Sequence, residues 1–381
     1  MIKPEFFVTE LLSAGVDFFA GVPDSLLKSM CAYITERVDA DRHVITANEG
    51  GAVALATGYH LATGGIGCVY MQNSGLGNVV NPLASLTDRE VYHIPMLLVV
   101  GWRGRPGVHD EPQHVKQGKV TTGLLNVMGV NYEVLSHDET VAARQIAHAV
   151  REIKERGDVF ALVVEKDTFE PYALTVPTPT SDLELSREEA IAHVARGAEP
   201  DAVIVSTTGM ISRELFEYRA RKGEGHERDF LTVGSMGHAS QIALGVAMQQ
   251  GGRRVYCMDG DGAAIMHMGS MAIVGSRKPR NLVHIVFNNG AHDSVGGQPT
   301  VGFDIDLVQI ATACGYRKAL RIESLAELEA LPSKLKGTEG PIFVEIRVRK
   351  GNRKDLGRPT TTPIENKEAL MNFLKKGVPE A

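Results

Sequence analysis

Residues 256–270 read YCMDGDGAAIMHMGS, and this stretch decides the fold class. Its first half is an apolar run typical of a buried β-strand, and its second half has the small and apolar residues of a helix start. Gly260-Asp261-Gly262 stands at the junction. Two glycines around one carboxylate leave room for a ligand to approach the backbone closely. A strand, a turn and a helix in this order form the repeating unit of a parallel α/β sheet.

Short apolar runs alternate with helical patterns on both sides of this stretch. The alternation predicts an α/β protein with two doubly wound, mostly parallel-sheet domains in tandem. In the first half of the chain, strands are predicted at residues 17–22, 43–47, 67–72, 96–102, 132–136 and 159–166. In the second half, they are predicted at residues 202–207, 230–235, 254–260, 282–289, 318–323 and 342–348.

A change of composition marks the boundary between the two halves. Residues 171–185, PYALTVPTPTSDLEL, carry three prolines among serines and threonines, a composition that favours extended linker backbone. Ser186 with Glu189 predicts a capping box that begins the next helix. The predicted organisation is a first domain at 1–172, a linker at 173–186 and a second domain at 187–381.

Composition restricts the function classes. The formal net charge of −6 argues against a nucleic-acid partner. No apolar run approaches the roughly 20 residues of a membrane span, and MIKPEFFVTELLSAG at the N-terminus does not resemble a signal peptide. The four cysteines are widely spaced, which suggests neither a zinc ligand set nor a disulfide framework. We therefore expect a cytoplasmic protein.

Asp261 has a partner in sequence at Asn288-Asn289, which ends the next predicted strand. Polar groups at the carboxyl ends of neighbouring parallel strands lie side by side, where ligands bind in such sheets. One carboxylate and neutral oxygen ligands suit Mg²⁺, which shares its six oxygens with substrate phosphates. A lone Gly-Asp-Gly also fits a plain turn, and Asn-Asn fits a strand-end cap. The pairing of the two motifs favours a magnesium and diphosphate site.

The two motifs together resemble the thiamine diphosphate fingerprint of the decarboxylase and acetolactate synthase superfamily. The resemblance implies a pyrimidine-binding domain, a diphosphate-binding domain, and thiamine diphosphate and Mg²⁺ as cofactors. It implies Asp261, Asn289 and the Ala291 carbonyl as metal ligands. Around the diphosphate it implies Gly260, Gly262 and Ala263.

The same resemblance assigns the activating glutamate to HVITANEGGAVALATGYHLATG, residues 43–64. Glu49 would hydrogen-bond the aminopyrimidine ring of the cofactor, although an acid in the first turn of a helix is also common. In FLTVGSMGHASQIALGVAM, residues 230–248, the implied cofactor residues are Gly234, Ser235 and Met236. A core methionine is the commoner alternative for Met236. Because the family's cofactor lies between subunits, the resemblance also implies a homo-oligomer, at least a dimer.

Four stretches resemble the phosphonopyruvate decarboxylases: 21–28, 72–78, 110–114 and 288–300. The resemblance implies decarboxylation of 3-phosphonopyruvate, a small-molecule substrate. A sulfopyruvate decarboxylase or a relaxed 2-oxo acid decarboxylase remains the alternative. A non-catalytic nucleotide-binding regulator is a remote alternative, since GVPDSLL after the first strand lacks the G-x-G-x-x-G turn.

A phosphonate requires arginines, hydroxyls or amides. The candidate substrate residues follow predicted strands and are Asp24, Ser25 (at an expected helix start), Asn73, Ser74, Arg103, Arg105, Gln113 and Ser294. Three histidines are candidate catalytic residues because the pKa of a histidine lies near neutrality: His109, His114 and His292. A surface arginine or a structural histidine remains the alternative for each.

Overall fold

The computed structural model describes residues 1–175 and 182–376. The chain divides into two compact units, Met1–Val176 with His292–Gln298, and Pro177–Ala291 with Pro299–Ala381. Residues 176–181 of the predicted linker lie outside the described residues. The domain limits drawn from the sequence stay a prediction.

The first unit contains a six-stranded parallel sheet with the order β2-β1-β3-β4-β6-β5. Its strands are β1 Phe18–Gly21, β2 His43–Ile45, β3 Gly67–Gln72, β4 Met96–Gly101, β5 Asn131–Val134 and β6 Val159–Val164. Its helices are α1 Pro4–Ala14, α2 Lys28–Arg37, α3 Glu49–Thr63, α4 Leu76–Pro82, α5 Pro112–Val127 and α6 Glu139–Arg156.

The second unit contains another six-stranded parallel sheet. Its strands are β7 Val203–Ser206, β8 Asp229–Leu231, β9 Val255–Gly260, β10 Leu282–Asn288, β13 Lys318–Ile322 and β14 Ile342–Arg347. The short strands β11 Ala291–His292 and β12 Gln298–Pro299 lie at the two ends of the segment 292–298 and, among the described strands, pair only with each other. The helices are α7 Arg187–Gly197, α8 Met210–Lys222, α9 Ala239–Gln249, α10 Asp261–Met266, α11 Gly269–Arg277, α12 Leu307–Ala313, α13 Leu325–Glu329, α14 Leu331–Leu335 and α15 Pro363–Lys375.

Both sheets have the same topology. The second sheet runs β13-β14-β10-β9-β7-β8, so in each unit the third strand pairs with the first and the fourth, and the second strand is at one edge. Central strands such as β4 are buried along their whole length. A parallel sheet covered by helices on both faces requires such strands. The predicted α/β class and all twelve predicted strands of the two sheets are confirmed.

Two local predictions about helix limits were wrong. The stretch after Gly262 predicts one continuous helix over 264–275, but this helix is interrupted, because His267 has φ −131° and ψ 49° and ends α10 before α11 begins. Asp24 and Ser25 do not begin α2. Instead, the Asp24 carboxylate accepts a hydrogen bond from Leu26 N at 2.9 Å, which favours a turn before the helix.

Another local prediction was confirmed. Ser186 and Glu189 form the expected capping box of α7. Cys31, Cys68, Cys257 and Cys314 are free thiols. None of the helices in the described part of the chain is both long and apolar enough to cross a membrane.

Candidate functional site

Asp261 lies where β9 ends and α10 begins, and only 2% of the residue is exposed. The Thr300 hydroxyl donates a hydrogen bond to its Oδ2. Burial raises the pKa of Asp261 to about 6. Within residues 1–175 and 182–376, no lysine, arginine or histidine forms an ion pair with this carboxylate. Asp261 is therefore a buried acid whose charge is not compensated by a protein cation.

The two asparagines at the end of β10, Asn288 and Asn289, have different surroundings. The Asn288 amide donates to the Gly302 carbonyl at 2.7 Å and to Glu345 Oε1 at 2.8 Å. Asn289 is also buried, and its Oδ1 accepts from Ala291 N at 3.1 Å. These bonds give Asn288 a structural role in the loop. They agree with Asn289, and not Asn288, as the predicted ligand.

The segment that follows β12 packs directly on Asp261. A Cβ placed on Gly302 would lie 2.7 Å from Asp261 Oδ2 and 2.6 Å from Asn288 Oδ1. Only glycine lets the backbone approach so closely. Thr300 and Gly302 therefore shape the surroundings of the carboxylate.

The donors at this edge fit a hard cation. Asp261 offers a carboxylate, Asn289 an amide oxygen and Ala291 a backbone carbonyl, and Mg²⁺ prefers such oxygen ligands. The buried, uncompensated carboxylate is the observation that agrees with a cation at this place. The ligand set itself stays a prediction.

The loop over residues 234–237 packs against the start of α10. Gly234, Ser235 and Gly237 have φ of 71°, 47° and 83°. The left-handed conformation is costly for Ser235, a sign of a functional constraint. A Cβ on Gly237 would lie 3.1 Å from the Ala263 carbonyl. Met236 is only partly buried, which favours a role outside the core.

Glu49 is the first residue of α3, and 5% of it is exposed. Asn78 Nδ2 donates to Glu49 Oε2 at 2.6 Å. In the described part of the chain, no hydrogen bond reaches Glu49 Oε1. A Cβ on Gly75 would lie 2.5 Å from this oxygen, so backbone closes one side of the carboxylate. The arrangement fixes the carboxylate and leaves one oxygen to accept a proton or hydrogen bond from a ligand.

Arg103, in the loop after β4, is held by other protein groups. Its Nε donates to Asp110 Oδ2 at 2.8 Å, and its Nη2 donates to Oδ1 of the same carboxylate. Its Nη1 donates to Ser25 Oγ at 2.6 Å. This bidentate pair fixes the guanidinium in one orientation. Arg103 therefore orders the loop and Ser25 rather than offering an unpaired charge.

Asn73 supports the same loop. It is buried, and its amide donates to the Arg103 carbonyl at 2.8 Å and to Thr121 Oγ1 at 2.9 Å. Its Oδ1 accepts from Arg103 N at 3.2 Å. The neighbouring Ser74 is exposed and accepts from Gln72 at 2.6 Å. The bonds of Asn73 favour a supporting role over direct contact with a substrate.

Arg105 is more exposed than Arg103. Its Nε lies 2.9 Å from Glu165 Oε1, and its guanidinium lies 5.8 Å from the centre of the Trp102 ring. The two arginines that the sequence grouped as anion ligands are therefore both paired with carboxylates.

Asp24 follows β1 and is another buried acid of the first unit. It is fully shielded from solvent. Burial raises its pKa to about 6. Its Oδ1 has no hydrogen-bond partner among the described residues. A Cβ on Gly101 would lie 2.2 Å from Oδ2, so the end of β4 passes directly over the carboxylate.

Comparisons with known proteins identify the family of this chain. Two family models match: the thiamine pyrophosphate enzyme, N-terminal TPP binding domain, over residues 4–124, and the C-terminal TPP binding domain, over residues 207–346. A phosphonopyruvate decarboxylase of Streptomyces viridochromogenes is 37% identical over 96% of this chain and 93% of its own. This chain belongs to the phosphonopyruvate decarboxylase family of thiamine pyrophosphate enzymes.

Two further relatives extend the comparison. A phosphonopyruvate decarboxylase of Streptomyces hygroscopicus is 36% identical, covering 98% of this chain and 94% of its own. A sulfopyruvate decarboxylase of Methanosarcina acetivorans is 26% identical, covering 98% of this chain and 97% of its own. Family membership confirms thiamine diphosphate as the cofactor of this enzyme, while the magnesium ion stays a prediction.

His114 and His292, two candidate catalytic residues of this thiamine pyrophosphate enzyme, have lower pKa values than the expected near-neutral ones. Burial lowers the pKa of His114 to about 4, and that of His292 to about 4 as well. Both imidazoles are therefore uncharged at neutral pH. His114 Nδ1 has no partner in the described structure. His109 is exposed.

Two other predicted substrate residues lie beside these histidines in sequence. The Nε2 of Gln113 lies 3.4 Å from Nε2 of His114, and Gln113 Oε1 has no partner among the described residues. Ser294 is exposed. Their roles stay predictions.

Sequence reasoning missed several groups that hold the candidate residues in place. These are Asn78 on Glu49, Asp110 on Arg103 and Thr300 on Asp261. Asp110 and Thr300 belong to the quoted stretches 110–114 and 288–300, which was the available signal. Asn78 ends the stretch 72–78, and nothing in the sequence connects it with Glu49.

Proposed function

We propose that this enzyme decarboxylates 3-phosphonopyruvate to phosphonoacetaldehyde and CO₂, with thiamine diphosphate and Mg²⁺. The observation that carries the proposal is the identity of 37% and 36% to two phosphonopyruvate decarboxylases, against 26% to the sulfopyruvate decarboxylase, over comparable lengths. The stretch NNGAHDSVGGQPT, residues 288–300, supports the same choice.

The chain's own residues fit this cofactor. When bound, thiamine diphosphate supplies a carbon nucleophile and accepts the electron pair that remains when CO₂ leaves. Glu49 would use Oε1 to hold a proton at the aminopyrimidine ring, while Asn78 fixes Oε2. Asp261, Asn289 and the Ala291 carbonyl would hold the Mg²⁺ that binds the diphosphate.

The loop after β4 would form part of the substrate site. Arg103 is committed to Asp110 and Ser25, so we propose that it positions Ser25 beside the substrate. Gln113 and the neutral His114, each with an unpaired buried atom, would complete their hydrogen bonds with the substrate.

We further propose a homodimer in which Glu49 of one copy and Asp261 of the other serve one cofactor. Mixing inactive Glu49→Gln and Asp261→Ala chains tests this directly. In the mixed dimer one site keeps both native residues, so roughly a quarter of the native activity should return after random reassociation. No recovery would overturn the shared site. The cytosolic location, predicted from composition, also stays a proposal.

The substrate is tested by steady-state kinetics with phosphonopyruvate, sulfopyruvate and pyruvate, each with thiamine diphosphate and Mg²⁺. We expect the highest kcat/KM on phosphonopyruvate. A higher value on sulfopyruvate would overturn the substrate assignment and favour the sulfonate alternative. Comparable values on all three would indicate a relaxed 2-oxo acid decarboxylase.

A further inference from the structure

A buried polar triad lies inside the second sheet, and on β9 it directly precedes the residues assigned to the cofactor. Cys257 and Asp259 are two residues apart on β9 and share one face of the sheet. His284 on β10 is the register partner of Cys257. All three are at most 1% exposed. Three groups that bind metals therefore converge in a core of apolar side chains.

The donor atoms of the triad face one another. A Cys257 sulfur, an Asp259 oxygen and a His284 nitrogen all lie within 4.8 Å of one another. His284 Nε2 is 3.6 Å from Asp259 Oδ2, and neither atom has a hydrogen-bond partner among the described residues. Leaving both atoms unsatisfied in the core would cost about 1–3 kcal/mol for each group.

Tyr316 fixes the orientation of the imidazole. Its hydroxyl oxygen lies 3.0 Å from His284 Nδ1. With the proton on Nδ1 and donated to Tyr316, Nε2 presents its lone pair to the Asp259 carboxylate. Metal-binding histidines commonly have this arrangement, in which the second nitrogen donates to a neighbouring group. In this tautomer two acceptors face each other, and a cation between them would satisfy both.

The separation of the two atoms suits a shared metal ion. At 3.6 Å they are too far apart for a hydrogen bond. Two ligands that each lie about 2.1 Å from a tetrahedral zinc are about 3.4 Å apart. A thiolate, an imidazole and a carboxylate are ligands of Zn²⁺, whereas Mg²⁺ avoids sulfur.

We propose that Cys257, Asp259 and His284 bind one zinc ion, separate from the proposed magnesium at Asp261. On binding, the S–H bond of Cys257 breaks, a sulfur–zinc bond forms, and the proton passes to solvent. Three protein ligands leave the fourth tetrahedral position to a water molecule. The ion connects β9 to β10, the two strands whose ends carry Asp261 and Asn289. Because the triad is buried, the chain acquires the ion while it folds.

Metal analysis of the full-length protein tests the proposal. The protein is produced in medium supplemented with zinc sulfate and purified with thiamine diphosphate and Mg²⁺. Inductively coupled plasma mass spectrometry should find about one zinc ion per chain. X-ray absorption spectroscopy at the zinc edge should find one sulfur ligand at about 2.3 Å, with nitrogen and oxygen ligands at about 2.0–2.2 Å. Zinc below about a tenth of an equivalent, or bound zinc without a sulfur ligand, would overturn the proposal.

Variants locate the ion on the chain. Cys257→Ser and His284→Gln should lower the zinc content at least about tenfold, since each removes a ligand. Cys314→Ser is the matched control, a thiol of the same unit outside the triad, and should keep the zinc. Full zinc content in Cys257→Ser would contradict the assignment. If these variants do not fold, the X-ray absorption spectrum of the native protein still tests whether zinc has a sulfur ligand.

Discussion

In the first unit the loops after the third and fourth strands carry Asn73 and Arg103, and in the second unit the same loops carry Asp261 and Asn289. Asn73 binds the backbone of Arg103, and Arg103 pairs with Asp110, so these two side chains are satisfied by the first unit itself. Asp261 pairs with no cation of the described chain. One strand order thus gathers polar side chains at one edge of each sheet, while the loop residues decide which of these groups remain available to a ligand.

Removal of the uncompensated acid, Asp261, should have the largest effect on activity. Asp261→Ala should lower kcat/KM by on the order of a thousandfold, because the proposed Mg²⁺ loses its anionic protein ligand. Titration calorimetry should show weaker binding of thiamine diphosphate in the presence of Mg²⁺. Asp304→Asn, an exposed acid of the same unit, is the control and should behave like the native protein. Normal cofactor binding by Asp261→Ala would remove the metal assignment.

The first unit contributes a different carboxylate, and its substitution should affect turnover more than binding. Glu49→Gln should lower kcat by about 10²–10³-fold, since an amide cannot hold the proton that the cofactor exchanges. Thiamine diphosphate should still bind, as calorimetry would show.

A matched pair on α4 tests how Glu49 is supported. Asn78→Ala should cost about tenfold in kcat, because Asn78 fixes Glu49 Oε2. Asn81→Ala, an exposed position on the same helix, should cost nothing. Full activity in Glu49→Gln would show that this carboxylate does not act on the cofactor.

The sequence predicted the sheets well for a physical reason. Strands of a parallel sheet are buried on both faces, so they read as continuous apolar runs between turn residues. The buried central strands were found in this way, and the partly buried edge strands β2, β5 and β13 were found with them. The short strands β11 and β12 were missed, because two-residue strands leave no hydrophobic period.

The candidate site was only partly predictable. Asp261, Asn289 and Glu49 each stand in a short sequence motif. A resemblance to known motifs is therefore enough to identify them. Arg103 is held in place by hydrogen bonds to Asp110, seven residues later, and to Ser25. Such contacts between loops leave no periodic pattern in the sequence, so they could not be predicted. The lowered pKa of His114 likewise depends on burial, which sequence does not give.

The buried acid Asp24 should make the free energy of unfolding depend on pH. Its folded pKa of about 6 lies above the ordinary 3.8, so the folded protein keeps this proton longer than the unfolded chain. The contribution of Asp24 to the free energy of unfolding therefore falls as the pH rises from about 4 to about 6, by about 3 kcal/mol in total.

Removing the negative charge of Asp24 should restore the free energy of unfolding that is lost at high pH. Asp24→Asn keeps an acceptor for Leu26 N and should be up to about 3 kcal/mol more stable than the native protein at pH 8, and no more stable near pH 4. Urea unfolding at both pH values measures the difference. Asp41→Asn, an exposed acid of the same unit, should show no such gain. Equal stability of Asp24→Asn and native protein at pH 8 would contradict the raised pKa.

The two arginines of the loop after β4 give the smallest and most local test. The Arg103 side chain is 18% exposed and faces Asp110, which is 12% exposed, whereas Arg105 is 46% exposed. Arg103→Ala leaves a mostly buried carboxylate without its partner and should lower the free energy of unfolding by about 2 kcal/mol. Arg105→Ala should cost less than about 1 kcal/mol, since solvent screens an exposed pair. Equal losses of the free energy of unfolding in the two variants would show that Arg103 does not stabilise the fold more than Arg105 does. Arg103 would then again be a candidate for direct phosphonate binding.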